Sequence, residues 1–129
     1  MEVTISKTFT NQRAVEKMNI TQQQQDGITN LAISGRLDAV SAVEADKEFS
    51  KVLDAGHDRL LINLSELNYI SSAGLRVLLV VAKRIQQNGG KVVLTALTPN
   101  VKEVFEISGF SSIFKIFETD EDAEVILKG

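Results

Sequence analysis

Cysteine is absent from the chain, which excludes a disulfide framework, a thiolate metal site and a cysteine nucleophile, and suits a reducing compartment. Histidine occurs once, as His57, leaving little room for a His-based zinc site. Long apolar runs are missing too: the longest, Val77 to Ala82, is far short of the ~20 residues that span a bilayer. The N-terminus lacks the basic-then-apolar pattern of a signal peptide. Nor is there an excess of positive charge. Fourteen basic against seventeen acidic residues give a net charge of -3, which argues against a duplex-binding surface and against nucleic acid as a direct partner. These absences lead us to expect a soluble, cytoplasmic protein without membrane insertion. What is present suffices for one folded unit: 129 residues make a single domain, and 43% hydrophobic residues are enough to build its core.

Element type alternates along the chain. Ile28 to Gly35 alternates apolar and polar residues and closes on glycine, as a half-buried strand does. Ser41 and Glu44 are spaced as a capping box, the hydroxyl accepting from the third backbone N–H and the carboxylate reaching back; Ala42, Val43, Ala45, Phe49, Val52 and Leu53 follow at helical spacing to Gly56. Leu60 to Leu64 is a nearly continuous apolar strand of the kind covered on both faces in a parallel sheet. Ser72 to Asn88 reads as a helix stopped by Gly89-Gly90, Lys91 to Leu97 as a strand, Pro99 to Gly109 as a short helix and Ile113 to Phe117 as a last strand. Asn88-Gly89 also carries a hairpin signal, but a hairpin needs a strand before it, and Leu75 to Ile85 has helical length and composition. The alternation predicts an α/β fold with crossover connections.

The ends read differently. Thr21 to Gly27, with four consecutive glutamines and Asp26-Gly27, is expected as an exposed strand edge running into a turn. Val3, Ile5 and Phe9 hint at an earlier strand, although Lys7 breaks the alternation. Residues 1–17 are therefore set apart as an extension of unknown role, and residues 18–129 as the domain. Near the other end Glu118, Asp120, Glu121, Asp122 and Glu124 crowd together; with Ala123, Val125, Ile126 and Leu127 among them they read as the acidic first turn of a C-terminal helix.

The segment Asn63 to Leu79 holds the chemistry. Ser71 and Ser72 stand where a buried strand and its following loop deliver the chain into a helix N-terminus, whose free N–H groups and positive dipole end can hold an anion. A serine here is also an ordinary N-cap. Ala73 and Gly74 leave both hydroxyls uncovered and reachable by a partner protein. Further along, Leu75, Leu78, Leu79, Ala82 and Ile85 recur as a core stripe, with Arg76, Val80, Lys83 and Gln87 on the opposite face in line with Ala73. Val80 is either an interface anchor or an unremarkable surface valine. Asp38 either borders the same interface or orders the turn before Ser41. No catalytic residue is assigned. A hydrolase elbow needs Gly-x-Ser-x-Gly, but Ile70 fills the first glycine position around Ser72, and His57 precedes the serine in what is expected to be a solvated loop. A phosphoaspartate receiver needs an aspartate after the central strand, where Asn63-Leu64-Ser65 stands.

Tyr69-Ile70-Ser71-Ser72-Ala73-Gly74-Leu75 resembles the signature of the anti-sigma-factor antagonist family, the small STAS domains: an apolar pair, Asp-Ser, a small residue, Gly and Leu. Gly35-Arg36-Leu37-Asp38 is similar to the family's Gly-x-Leu-Asp turn, and Leu61-Ile62-Asn63-Leu64-Ser65 to its central strand. Gly89-Gly90-Lys91 and Val101 to Phe110 fall in the expected order, so the likeness runs from near Met18 onward. The resemblance implies a single STAS-like domain with a mixed central β-sheet packed with α-helices; with no cysteine and one histidine, neither a cofactor nor a metal is expected. It also implies a switch. The unphosphorylated antagonist binds an anti-sigma factor that is also a serine protein kinase, and so frees the sigma factor; phosphorylation at the signature serine releases the antagonist, and a metal-dependent serine phosphatase restores it. By position the acceptor is Ser72, and the partner-binding surface includes Asp38, Ser71, Ala73, Gly74, Arg76 and Val80. The chain departs from the pattern at Ser71, where Asp is usual; a charge beside the acceptor is lost and a competing hydroxyl gained, which makes Ser71 the alternative acceptor. STAS domains also serve as regulatory or structural subunits of membrane transport assemblies without a phosphorylation cycle; the retained Ser72 hydroxyl favours the switch.

Overall fold

The structure, a computed structural model, describes the backbone of residues 3–8 and residues 17–128 in full. Its elements are β1 (Val3–Thr8), β2 (Asn19–Gln25), β3 (Ile28–Leu37), α1 (Ser41–Asp54), β4 (Arg59–Ile70), α2 (Ser72–Gln87), β5 (Lys91–Thr95), α3 (Pro99–Ser108), β6 (Lys115–Phe117) and α4 (Asp120–Lys128), with a 3-10 turn at Phe110–Ser112. The strands form one mixed sheet in chain order, antiparallel from β1 to β3 and parallel from β3 to β6. Asp26 and Gly27 both take positive φ, 55° and 79°, and join β2 to β3 as a two-residue hairpin loop. The glutamine strand expected at an edge is interior, because β1 pairs with it from Val3↔Gln24 to Thr8↔Asn19. Val3 and Ile5 thus fall in a strand, and Phe9 lies outside the described residues.

Successive right-handed crossovers that step one way across a sheet put their helices on one face. Helices α1, α2 and α3 do share a face, where Phe49, Leu78 and Phe105 pack into one cluster with Leu60, Ile62 and Leu94. Helix α4 covers the other face, seating Ala123 and Leu127 on Ile28, Leu61 and Val93. The run Leu60-Leu61-Ile62 is therefore covered from both sides, as its unbroken apolar character requires. The acidic turn expected near the end opens α4 and anchors it. The Asp120 carboxylate accepts hydrogen bonds from the buried Thr95 hydroxyl at 2.6 Å and the Asn63 amide at 2.9 Å, while Thr119 Oγ1 accepts from the Asp122 N–H at 3.2 Å.

Three local expectations need correction. Strand β4 does not stop at Leu64 but continues to Ile70, so no loop separates it from α2. Its pairing with β3 slips between Ala32 and Ser34 and again between Gly35 and Arg36. Each irregularity adds a residue to β4, so Leu64, Leu67 and Ile70 all point into the core at a spacing of three, which hides the strand from a search for alternation. The Ser41–Glu44 capping box is not formed. Asp38 takes its place: Oδ1 accepts from the Val40 N–H at 3.1 Å and the Ser41 N–H at 3.0 Å, and the Asp38 carbonyl accepts from the Ala42 N–H. Ser41 Oγ instead accepts from the Asp38 N–H and donates to the Arg36 carbonyl, and Glu44 pairs with Lys47. In α2 the buried residues include Val77 and Val81, whereas Leu79 is only half-buried. Val77 and Val81 lie on the row that ends at Arg84, which reaches Ser50 and Asp54 of α1, so packing against α1 widens the buried arc beyond the sheet-facing stripe.

Candidate partner-binding site

The site lies where β3 and β4 end side by side, Leu37 paired with Ile70. Ser71 continues β4 in extended conformation (φ -97°, ψ 174°), donates its N–H to the Leu37 carbonyl at 2.9 Å, and accepts the Gly74 N–H on its side-chain oxygen at 3.3 Å. It is the N-cap of α2, and that use of the hydroxyl separates the two serines. Ser72 is the first helical residue and is exposed. Gly74 is buried, and a Cβ there would stand 2.8 Å from the Leu37 carbonyl oxygen and 2.9 Å from Ile70, so the glycine lets α2 start tight against the strand ends. Ala73 is half-buried against the core, while Arg76 and Val80 face solvent, Val80 at 39% exposure.

Asp38 follows Leu37 directly and so stands beside the Ser71 end of β4. The Ser41 and Val40 N–H groups, with the Ser41 hydroxyl and Arg36, hold its carboxyl below the usual carboxylate range; the Ser41 N–H contributes most, against a smaller opposing effect of burial. Arg36 lies 3.9 Å from this carboxylate and 4.1 Å from the centre of the Tyr69 ring. Beyond them an open, polar cleft of about 520 Å³ runs along Tyr69, Asn68, Thr98, Pro99 and Asn100. Because Asp38 is depressed in the folded protein, its contribution to stability is complete above its ordinary value and is lost as pH falls through the folded one. We expect acid to destabilise the protein more than its Asp38→Ala variant. Its carboxyl is more than a third exposed, so the difference stays below about 1 kcal/mol in urea titrations near neutral pH and near pH 2.

Two exposed apolar residues at the start of α1 escaped the sequence reading. Val40 is 83% exposed and Val43 57%, although Val43 was expected among the apolar positions of α1. The buried face of α1 is Ala42, Ala45, Phe49, Val52 and Leu53, and Val40 and Val43 fall off it by helical phase, the one signal that marks them. The Arg84 contacts with Ser50 and Asp54 fix the register of the two helices. Val43 stands two turns before Ser50 on α1, as Val77 does before Arg84 on α2. His57, expected as a solvated loop residue, is half-buried at the far end of the sheet, within 3.0 Å of the buried Thr29 hydroxyl and 2.7 Å of the Gln24 amide.

A mixed sheet with three crossover helices on one face, and a buried-glycine helix start carrying an exposed serine, are the features of a STAS-type domain. The STAS domain family model matches residues 19–123, and the chain belongs to that family. A Bordetella bronchiseptica protein bearing the name of a proposed anti-sigma factor antagonist, BtrV, is 41% identical over 111 residues, 86% of this chain and 96% of its own. Among solved structures, an anti-sigma factor antagonist from Mycobacterium paratuberculosis superposes with a TM-score of 0.82 at 22% identity, over 90% of this chain and 98% of its own. The unphosphorylated form of the antagonist SpoIIAA gives 0.74 at 20% identity, over 85% and 96%; its phosphorylated form, from Bacillus, gives 0.64 at 19%, over 81% and 95%. Among the described residues no helix is long and apolar enough to cross a membrane.

Proposed function

We propose that residues 18–129 act in the cytoplasm as a phosphorylation-controlled antagonist of an anti-sigma factor that doubles as a serine kinase. Ser72 is the acceptor, and a serine phosphatase resets it. The observation that carries this reading is the exposure of Ser72 at the first turn of α2 while the neighbouring Ser71 hydroxyl is used as the cap. The partner meets Ser72, Arg76 and Val80 of α2, with Asp38, Val40 and Val43 along the adjoining border; Ser71, Ala73 and Gly74 set the height of the helix start. Nothing in the chemistry asks for a cofactor or for a catalytic group within this chain. The test is reconstitution with the anti-sigma factor of the same organism and ATP, followed by peptide mapping and calorimetric titration. One phosphate at Ser72 and loss of binding support the reading; modification at Ser71 alone, or unchanged affinity after modification, overturns it.

The surface makes a separate prediction. Val80→Asp puts a charge on a contact face without touching the core, so affinity for the anti-sigma factor should fall roughly tenfold or more while unfolding free energy changes by less than ~0.5 kcal/mol. A large stability loss in urea would return Val80 to the core.

A further inference from the structure

At the opposite end of the parallel strands from Ser72 the sheet has a notch. Pairing between β5 and β6 begins only at Val93↔Lys115, which leaves Lys91 and Val92 ahead of the first β6 partner. Helix α2 borders the gap from one face through Ala82 and Gln86, and α4 from the other through Ile126. The result is a pocket of about 190 Å³ with Val92, Val93, Ile113 and Phe114 in its walls.

The size and the charge of this pocket select an occupant. A dry cavity of ~150 Å³ accommodates a benzene ring, so this volume takes one ring or a short alkyl chain. Two residues of open strand edge are too few for an added peptide strand, and β6 itself blocks its continuation. The pocket walls include two lysines, Lys91 and Lys115, and no acidic residue, in a chain whose net charge is -3. Both lysines are exposed, and among the described residues neither makes an ion pair within 4 Å. A largely apolar slot whose lining includes two exposed lysines and no carboxylate matches a small ligand with an apolar body and an anionic end.

We propose that this notch is a binding site for a small amphipathic carboxylate, its aryl or short alkyl body against Val92, Ile113, Phe114 and Ile126 and its carboxylate between Lys91 and Lys115. The site is independent of the Ser72 surface and stands or falls without it.

The test is amide NMR of the full chain titrated with 3-phenylpropionate, and in parallel with 3-phenylpropionamide, which keeps the body and loses the charge. A ligand of this size in a well-shaped pocket should reach a dissociation constant of roughly 1 mM or tighter. Shifts should concentrate at Gly90, Val92, Val93, Ile113 to Lys115 and Ile126. The amide should bind about fivefold or more weakly, and the double variant K91Q/K115Q should remove that preference while leaving the amide's affinity unchanged. Ile126→Trp, checked for folding by the same spectrum, should fill the slot and abolish both. Absence of shifts at these residues, equal binding of acid and amide to the parent protein, or undiminished binding to the Ile126→Trp variant would each overturn the proposal.

Discussion

Gly35→Ala is expected to cost about 3 kcal/mol or more of folding stability, although it adds a single methyl group. Gly35 has φ +85°, a left-handed conformation that alanine adopts only under strain. Its Cβ would also fall 1.9 Å from the Lys17 carbonyl oxygen, and a backbone atom cannot move aside as a side-chain tip can. The clash lies at the second pairing irregularity between β3 and β4, directly before Arg36, Leu37 and Asp38. Any relief there must shift the end of β3 and the Asp38 turn that follows it. Gly27 separates the two components of the cost, because it has φ +79° but open space where its Cβ would go, so Gly27→Ala carries strain alone, about 1 kcal/mol. Urea unfolding of both variants measures the difference. If Gly35→Ala proves no worse than Gly27→Ala, the Lys17 carbonyl is not seated over β3.

Where the sequence was legible, one physical signal dominated each element. The unbroken run Leu60-Leu61-Ile62 announced a strand buried on both faces, Pro99 and Gly109 bracketed α3, and the acid-rich first turn marked α4. Where two signals overlapped, the reading failed. The bulges of β4 turned alternation into a spacing of three, and an Asp three residues before a Ser outcompeted the capping box because its carboxylate reaches two N–H groups at once. For Asp38 the sequence leaves two readings, a border of the interface or the residue that orders the turn before Ser41; the Val40 and Ser41 N–H groups bound to its carboxylate show the ordering role. The pair Ser71 and Ser72 was open on spacing; the Gly74 N–H, bound to Ser71, distinguishes their surroundings. Val40 and Val43 were obscured because an exposed valine near a helix start looks like core until the helical phase is fixed by Phe49 and Val52.

Phosphorylation of Ser72 is expected to reduce affinity for the anti-sigma factor by about 100-fold or more while leaving the isolated protein folded. Ser72 begins α2, so its phosphate faces the positive end of the helix, and Arg76, one turn later at i+4, is placed to pair with it. No acidic residue lies within α2 itself, but the fold brings Asp38 to the end of the neighbouring strand, and its carboxylate stays ionised at neutral pH. Attraction and repulsion therefore largely cancel, and stability should change by less than about 1 kcal/mol in either direction. Across the interface no such cancellation operates. A partner fitted to a small hydroxyl, and to exposed apolar side chains such as Val80 of the same helix, would have to desolvate a doubly charged group. Ser72→Ala should keep full binding, within roughly threefold, and resist release by the kinase. Ser72→Asp, with one charge and less bulk, should lose roughly tenfold. Ser71→Ala should act on the other axis, costing about 1 kcal/mol of stability through the lost cap while Ser72 remains the phosphate acceptor. Calorimetric titration and urea unfolding on the same four proteins separate these effects. Amide NMR of the phosphorylated form supplies the last constraint: shifts confined to the α2 start, Asp38 and Val40 are expected, and shifts spread through β5 and β6 would mean that phosphate acts by altering the fold rather than the surface.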